Sequence, residues 1–293
     1  MNAPVRAPAC RFGLPDLGFG VGLRTKHFPY VTKRRPGVDW FEIVSENFMA
    51  TGGRPMRVLE HVAAGHPIVM HGVSLGIGGT DALDFGYLRR LKALAARVRA
   101  AWVSDHVCWT GVMGRTSHDL LPIPYTEEAL RHVVSRIRAV QDFLERPLVL
   151  ENPSSYAEFR ASQMGEAEFI ARMAEEADCG LLLDVNNIYV SSRNHGFDPL
   201  AYLDAIPADR VVQYHLAGHT PMDGYLLDTH VGPVPDPVWD LFGEAWDRIG
   251  SRATLIEWDE QIPSFPVVRA EADRARRLVA RARTARARER VAS

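Results

Sequence analysis

Six short apolar runs in succession end in side chains that can bind a cation or carry a proton. The third run ends in Met70-His71-Gly72, the fourth in Asp105-His106 and the fifth in Glu151-Asn152-Pro153. The sixth ends in Asp184-Val185-Asn186-Asn187, the seventh in His215 with His219 four residues on, and the eighth in Glu257-Trp258-Asp259. After the seventh run, Asp228-Thr229-His230 adds an acid and an imidazole whose i, i+2 spacing aims both to one side of an extended segment. A lone strand-end His is usually a structural hydrogen-bond partner, and a lone strand-end Asp usually caps the next helix. Six such ends in a row are a different matter. Several carboxylates gathered in one buried mouth cost many kcal/mol unless cations compensate them. Metal ions do this, because they stabilise the carboxylate and neutral-imidazole forms and fill their lone pairs. Imidazole, carboxylate and carboxamide without thiolate suit iron, manganese or zinc. His71, His106, Glu151, Asp184, Asn187, His215, Asp228, His230 and Glu257 are too many donors for one ion, so two or three ions sharing carboxylates are expected.

These ends converge only if the runs lie side by side. Eight runs are short enough for strands buried on both faces: 19–23, 40–44, 67–70, 101–104, 147–150, 180–183, 211–214 and 254–256. Between them lie amphipathic stretches. Tyr87 to Ala100 sets Leu88, Leu91, Leu94, Ala95 and Val98 on one face, and Thr126 to Glu145 does the same with Leu130, Val133, Val134, Ile137, Val140 and Leu144. Residues 166–177 and 237–249 read as two more helices, residues 52–53 and 76–79 as loops. Strand alternating with helix predicts a parallel sheet, and over this length an α/β protein of the (β/α)8 TIM-barrel type, with its site at the C-terminal face of the strands. An open doubly wound sheet is the runner-up, but no GxGxxG follows the first run and no GxxxxGK[ST] occurs. The expected organisation is an N-terminal extension over 1–17, a barrel domain over 18–272 and an Arg/Ala-rich helix or tail over 273–293.

Composition narrows the class. At 293 residues, 46% apolar and 24% charged, the chain can bury a large core without staples. The net charge of −2 gives no global sign of nucleic acid. Nine Arg and three acids in residues 269–290 leave −8 for the rest, and that basic run reads as a solvated face. Cys10, Cys108 and Cys179 form neither CxxC nor an even set, which argues against a disulfide framework. Cys108, two residues past His106, reads as a small buried hydrophobe. No apolar run spans a bilayer and no signal sequence is apparent, so the expectation is a cytoplasmic protein without membrane or nucleic-acid partners. His27, His61, His66, His118, His132 and His195 fall on loops or helices and read as structural or surface residues.

Nine motifs in order then resemble one family, the multinuclear non-haem iron-dependent oxidases. They are Gly20-Val-Gly-Leu-Arg24, Phe41-Glu-Ile-Val-Ser-Glu-Asn47, Met70-His-Gly-Val-Ser-Leu75, Val103-Ser-Asp-His106, Glu151-Asn-Pro153, Leu183-Asp-Val-Asn-Asn187, His215-Leu-Ala-Gly-His219, Asp228-Thr-His230 and Ile256-Glu-Trp-Asp259. The resemblance runs from about Gly18 to Glu260. It implies a TIM barrel holding two or three iron ions, with O2 as co-substrate. It implies modification of cysteines in a ribosomally made precursor peptide, which a small precursor-binding partner protein delivers. The implied iron ligands are the nine donors above. Asp105 and Asp259 are expected to orient imidazoles, His219 to donate beside the metals or hold substrate, and Glu46 and Asn47 to contact substrate. Arg24 is expected to pair with an acid at the mouth or anchor a peptide carboxylate. Two other classes share the strand-end pattern: a divalent-metal barrel of the sugar-isomerase or endonuclease type that uses no O2, and a non-catalytic metal-binding scaffold.

Overall fold

The structure, a computed structural model, describes residues 10–292, with side chains through residue 284. Residues 1–9 of the expected N-terminal extension and the end of the Arg-rich segment, Ser293, lie outside the described residues. All eight apolar runs are strands of one sheet: β1 (Phe19–Gly22), β2 (Trp40–Val44), β3 (Ile68–His71), β4 (Val103–His106), β5 (Leu148–Glu151), β6 (Gly180–Asp184), β7 (Val211–Leu216) and β8 (Ala253–Ile256). Each pairs in parallel with its neighbours in sequence, and β8 pairs with β1, so the sheet closes into a barrel.

A helix follows every strand: α1 (Phe28–Val31), α2 (Gly53–Ala63), α3 (Phe85–Val98), α4 (Glu127–Leu144), α5 (Glu166–Ala177), α6 (Val185–His195), α7 (Asp236–Ile249) and α8 (Phe265–Ala292). The six residues expected on the buried face of α4 are the six that are buried there. Thr126 caps that helix by accepting from the Ala129 N–H, and Glu145 ends it at φ +57°. The loop expected at 52–53 is shorter than its glycines suggest: Gly52 is the N-cap of α2 and Gly53 its first residue, at φ +62°. α8 crosses residue 272 without a break. Two small antiparallel ribbons stand in the loops of the C-terminal face, Trp109–Val112 with Arg115–Leu121 after β4 and Thr220–Pro221 with Leu226–Leu227 after β7. Among the described residues, no helix is long and apolar enough to cross a membrane.

The barrel interior is stacked in layers. Trp40, Val69, Trp102, Val149, Leu182, Val212, Ala253 and Leu255 form an apolar floor, and Phe12, Leu14 and Leu17 of the N-terminal segment pack against it. Trp40 fits because Gly20 faces it: a Cβ there would lie 2.5 Å from the indole. Strand side chains alternate, so a residue two or four places past a floor residue faces the same interior. That places Glu42 after Trp40, His71 after Val69, Ser104 and His106 after Trp102, Glu151 after Val149, Asp184 after Leu182, and Glu257 after Leu255. In β7 the pairing with β6 skips a residue, Leu181 opposite Val211 but Leu182 opposite Gln213, and this shift puts Gln213 and His215 in the same interior layers.

Candidate metal centre

The upper layer is polar and almost sealed. His71, Glu151, Asp184, His215 and Asn187 are each 3% exposed or less, so their charges and lone pairs must be met inside. The structure brings all nine expected donors to this mouth. His71 Nε2 lies 3.1 Å from Glu151 Oε2, and His106 Nε2 lies 3.3 Å from both. His215 Nδ1 lies 2.9 Å from Glu257 Oε2, 3.6 Å from Glu151 Oε1 and 3.9 Å from Asp184 Oδ2. His230 Nδ1 lies 3.2 Å from Glu257 Oε2 and from Asp259 Oδ2, while its Nε2 is 2.8 Å from Asp228 Oδ1. Asn187 Nδ2 approaches Glu151 Oε1 at 3.4 Å. His230 takes up φ +48°, a left-handed conformation uncommon outside glycine, to present both ring nitrogens here.

Three groups of donors overlap: His71, His106 and Glu151; Glu151, Asp184, His215 and Glu257; His230, Glu257 and Asp259. Glu151 and Glu257 each belong to two groups. Asp184 belongs to one, and the reason is local. It ends β6 and caps α6, its Oδ1 accepting from the Asn187 N–H at 2.6 Å, which leaves only Oδ2 for the mouth. A donor set that awaits cations should show lone pairs with no hydrogen to meet them. Buried Glu151 Oε2, Asp184 Oδ2, Asn187 Oδ1, His215 Nδ1 and His230 Nε2 all lack a hydrogen bond. Ligands about 2.1 Å from an ion and 90–109° apart stand about 3.0–3.4 Å from each other. The closest donor separations above bracket that range, so the residues fit metal ions.

Outer contacts aim the rings. Ser104 Oγ donates to the Met70 carbonyl at 3.3 Å and accepts from His71 Nδ1 at 2.9 Å, which leaves His71 Nε2 as a lone pair. His106 Nδ1 donates to the Gly72 carbonyl at 3.1 Å, which turns its Nε2 to the mouth. Asp105 was expected to orient an imidazole. Its carboxylate instead accepts from the backbone N–H groups of His106 and Leu75, and stays 3.8 Å from His106 Nδ1. Asp259 does contact an imidazole, that of His230, and is itself held by Arg24, which also lies 3.7 Å from Glu257. His219 is one step removed: it bonds Asn186 Oδ1 at 2.8 Å, stacks on Tyr189, and Asn186 in turn donates to Asp228. Glu46 accepts from Tyr87 Oη at 2.8 Å and from the Val73 N–H, bracing the loop after β3. Asn47 is exposed on the one-turn helix Glu46–Met49.

One contributor is absent from the strand-end reading. Glu42, in the middle of β2, is 4% exposed and lies 3.1 Å from His215 Nε2. Its position between Phe41 and Ile43 marks it as interior by alternation, which is the signal that was available.

Electrostatics carry the same demand. Six carboxylates (Glu42, Glu151, Asp184, Asp228, Glu257 and Asp259) meet four imidazoles and one guanidinium. Burial opposes charge on every fully enclosed group. It drives the Asp184 carboxyl well above the usual range. For Glu151 and Glu257 burial is outweighed by the facing imidazoles, which hold both well below it. Burial is likewise outweighed at His106, pushed up to about 9 chiefly by Glu151 and Asp105, and at His215 and His230, held well above the ordinary value by their acids. The site gathers positive charge wherever a group can supply it.

The opening above is a cavity of about 200 Å³ whose walls include Val44, Val73, Leu120, Pro153 and Thr229. Cys108 and Cys179 are fully buried, and burial pushes both thiols up, as expected of small core residues. His27 and His132 bond backbone carbonyls of Pro263 and Gly79, away from the mouth.

A closed parallel (β/α)8 barrel with overlapping His/carboxylate groups at the C-terminal mouth defines a TIM barrel with a site whose residues could hold metal ions. Solved structures share the fold at low identity: an L-ribulose 3-epimerase (14% identical, TM-score 0.62, covering 94% of this chain and 97% of that one) and endonuclease IV of Thermus thermophilus (16%, 0.58, 89% and 100%). Residues 18–280 match the family described as RiPP precursor modification enzyme MbnB/TglH/ChrH, and the chain belongs to that family. A UPF0276 protein of Anaeromyxobacter sp. is 57% identical over 266 residues, 91% of this chain and 94% of that protein. One of Caulobacter vibrioides is 54% identical over 263 residues, 89% and 94%.

Proposed function

We propose that this chain is an O2-dependent oxidase that holds two or three iron ions and modifies cysteine residues of a ribosomally synthesised precursor peptide. The observation that carries the proposal is the set of three overlapping donor groups sharing Glu151 and Glu257, with five buried atoms left without hydrogen bonds. Family membership supports the peptide substrate. His71 and His106 with Glu151 would hold one ion, and Asp184 and His215 with Glu151 and Glu257 another. His230, Glu257 and Asp259 would hold a third, with Asp228 and Asn187 completing the shells. Bound iron supplies the redox capacity, which no side chain here can. The chain's own residues do the rest. Ser104, the Gly72 carbonyl and Glu42 fix the rings, Arg24 steadies Asp259 and Glu257, and the apolar walls restrict water around the substrate sulfur. A small mouth that admits one cysteine provides little sequence discrimination, so a partner protein that grips the precursor supplies it by raising local concentration. Free Cys10, Cys108 and Cys179 suit a reducing cytoplasm.

The test is elemental analysis of anaerobically purified protein, then mass spectrometry of a Cys-containing precursor with O2, with and without the partner. Two or three irons per chain, a mass change on cysteine, and a rate at least about tenfold higher with the partner (about 1.4 kcal/mol) are expected. One zinc with no iron after anaerobic iron loading would overturn the oxidase. Equal rates without the partner would remove it from the scheme.

A further inference from the structure

A second cavity, apart from the metal mouth, is larger than it. It measures about 570 Å³ and lies between the segment 122–125, the segment 155–168 leading into α5, and the end of α6 with the short helix Pro199–Ala205. Ile123, Phe159, Met164 and Phe197 give it apolar walls. Glu166, the first residue of α5, sits between two phenols: Tyr202 Oη donates to its Oε1 at 2.8 Å and Tyr125 Oη to its Oε2 at 3.0 Å. A carboxylate has about four lone-pair sites, so two remain open. Among the described residues that line the cavity there is no Lys or Arg, while Glu158, Glu168 and Asp198 add negative charge at its rim. The imidazole of His195 is engaged with Ser155 at 2.9 Å. Glu166 is thus a cavity-lining acid with hydrogen bonds but no counter-charge, and burial pushes its carboxyl up to about 7.

We infer that this cavity is a second binding site, which takes the basic side chain of an Arg or Lys in the peptide substrate. An anion would be repelled by the carboxylates. A wholly apolar group would cover Glu166 and add to its desolvation. A guanidinium or ammonium on an aliphatic stem satisfies both parts, the stem against Phe159, Met164 and Phe197 and the cation on Glu166, with the aromatic faces adding attraction. The substrate source follows from continuity with the mouth. Pro153 and Ser154 line the metal mouth and Ser155 lines the cavity, so one short segment walls both. Ser155 is four residues after Glu151, which an extended chain covers in at most about 14 Å. A bound extended peptide that follows this segment reaches the near wall of the cavity, at Ser155, about four positions from the reacting residue, and a long basic side chain there extends on toward Glu166. The inference rests on the peptide-modifying reading.

The experiment uses the iron-loaded holoenzyme and labelled ten-residue Gly/Ser peptides with one cysteine and one Arg four positions before or after it, each paired with a citrulline version. Anaerobic fluorescence anisotropy reads affinity, and mass spectrometry after O2 reads modification. With wild-type protein, one of the two Arg peptides should bind about tenfold more tightly than its citrulline partner. Glu166→Gln should abolish that preference, and Phe159→Ala should weaken binding, with iron content unchanged and circular dichroism showing the native fold in both. Equal affinity for Arg and citrulline peptides in wild type, or a preference that survives Glu166→Gln, overturns the second site. Cysteine modification without an Arg preference leaves the oxidase standing and removes this site. An Arg preference without modification does the reverse.

Discussion

Replacing Glu42 by Gln should cripple metal binding through a proton, with little change of shape. The chain of contacts starts at Trp102, whose indole N–H can only donate, and donates to Gln213 Oε1 at 2.7 Å. That fixes the Gln213 amide nitrogen toward Glu42 Oε2 and His215 Nε2, 2.7 Å from each. The two groups compete for His215 Nε2. The Glu42 anion, 3.1 Å away, favours keeping the proton on Nε2, so Nδ1, which faces Glu257, Glu151 and Asp184, is the nitrogen that would exchange its proton for a metal ion. In Glu42→Gln the anion is gone, and the new carbonyl is taken by the Gln213 N–H. Amide nitrogens then surround Nε2 and make it an acceptor, so the proton moves to Nδ1 and points into the metal site. Loss of such an outer partner costs about 10–100-fold in metal affinity, or about 1.4–2.7 kcal/mol. The assay is anaerobic ferrous-ion competition against a chelator, with circular dichroism to confirm the fold. A folded Glu42→Gln protein with wild-type iron affinity and stoichiometry would refute the reasoning, and Glu42 would be a buried acid with no role in aiming the ring.

Other outcomes follow from single contacts. Asp184→Asn keeps a good N-cap for α6 but leaves no carboxyl that a metal ion could ionise and bind, so the melt should stay within about 1 kcal/mol of wild type while elemental analysis shows less iron; full iron would strike Asp184 from the donor set. Gly72→Ala puts a Cβ 2.3 Å from Asp105 Oδ2, which should cost about 1–3 kcal/mol in denaturant unfolding, and a melt equal to wild type would show that the Asp105 loop yields freely. The Glu166 carboxyl is raised by burial to about 7, so the folded state binds its proton more tightly than the unfolded chain. Stability from this group is complete below about pH 4.5 and falls as pH rises through 7, by at most about 3 kcal/mol, and less in practice because the side chain keeps some solvent contact. Urea melts at pH 5 and pH 8 should therefore differ less for Glu166→Gln than for wild type; an identical difference would mean that another group titrates.

The sequence by itself determined the barrel and its polar rim, because both follow from short-range rules. Alternation within four-residue strands forces His71 to share a face with Val69, and Glu151 with Val149, whatever the strands pack against. The stripe on α4 reads directly from its spacing, because a helix meets the barrel along one face. What the sequence could not decide depends on partners distant in the chain. Glu42 becomes an orienter of His215 only because β2 and β7 face each other across the barrel, 173 residues apart. Asp105 adjoins His106 in sequence, yet the strand pairing gives that ring the Gly72 carbonyl and gives Asp105 the backbone of the next loop. Asp184 loses one oxygen to its helix cap and belongs to one donor group, while Glu257 belongs to two. The cavity around Glu166 is assembled from three separate strand–helix units, none of which carries a pattern for it. Side-chain direction is local and periodic, so the sequence states it; which lone pair remains free is settled by contacts that exist only once the barrel has closed.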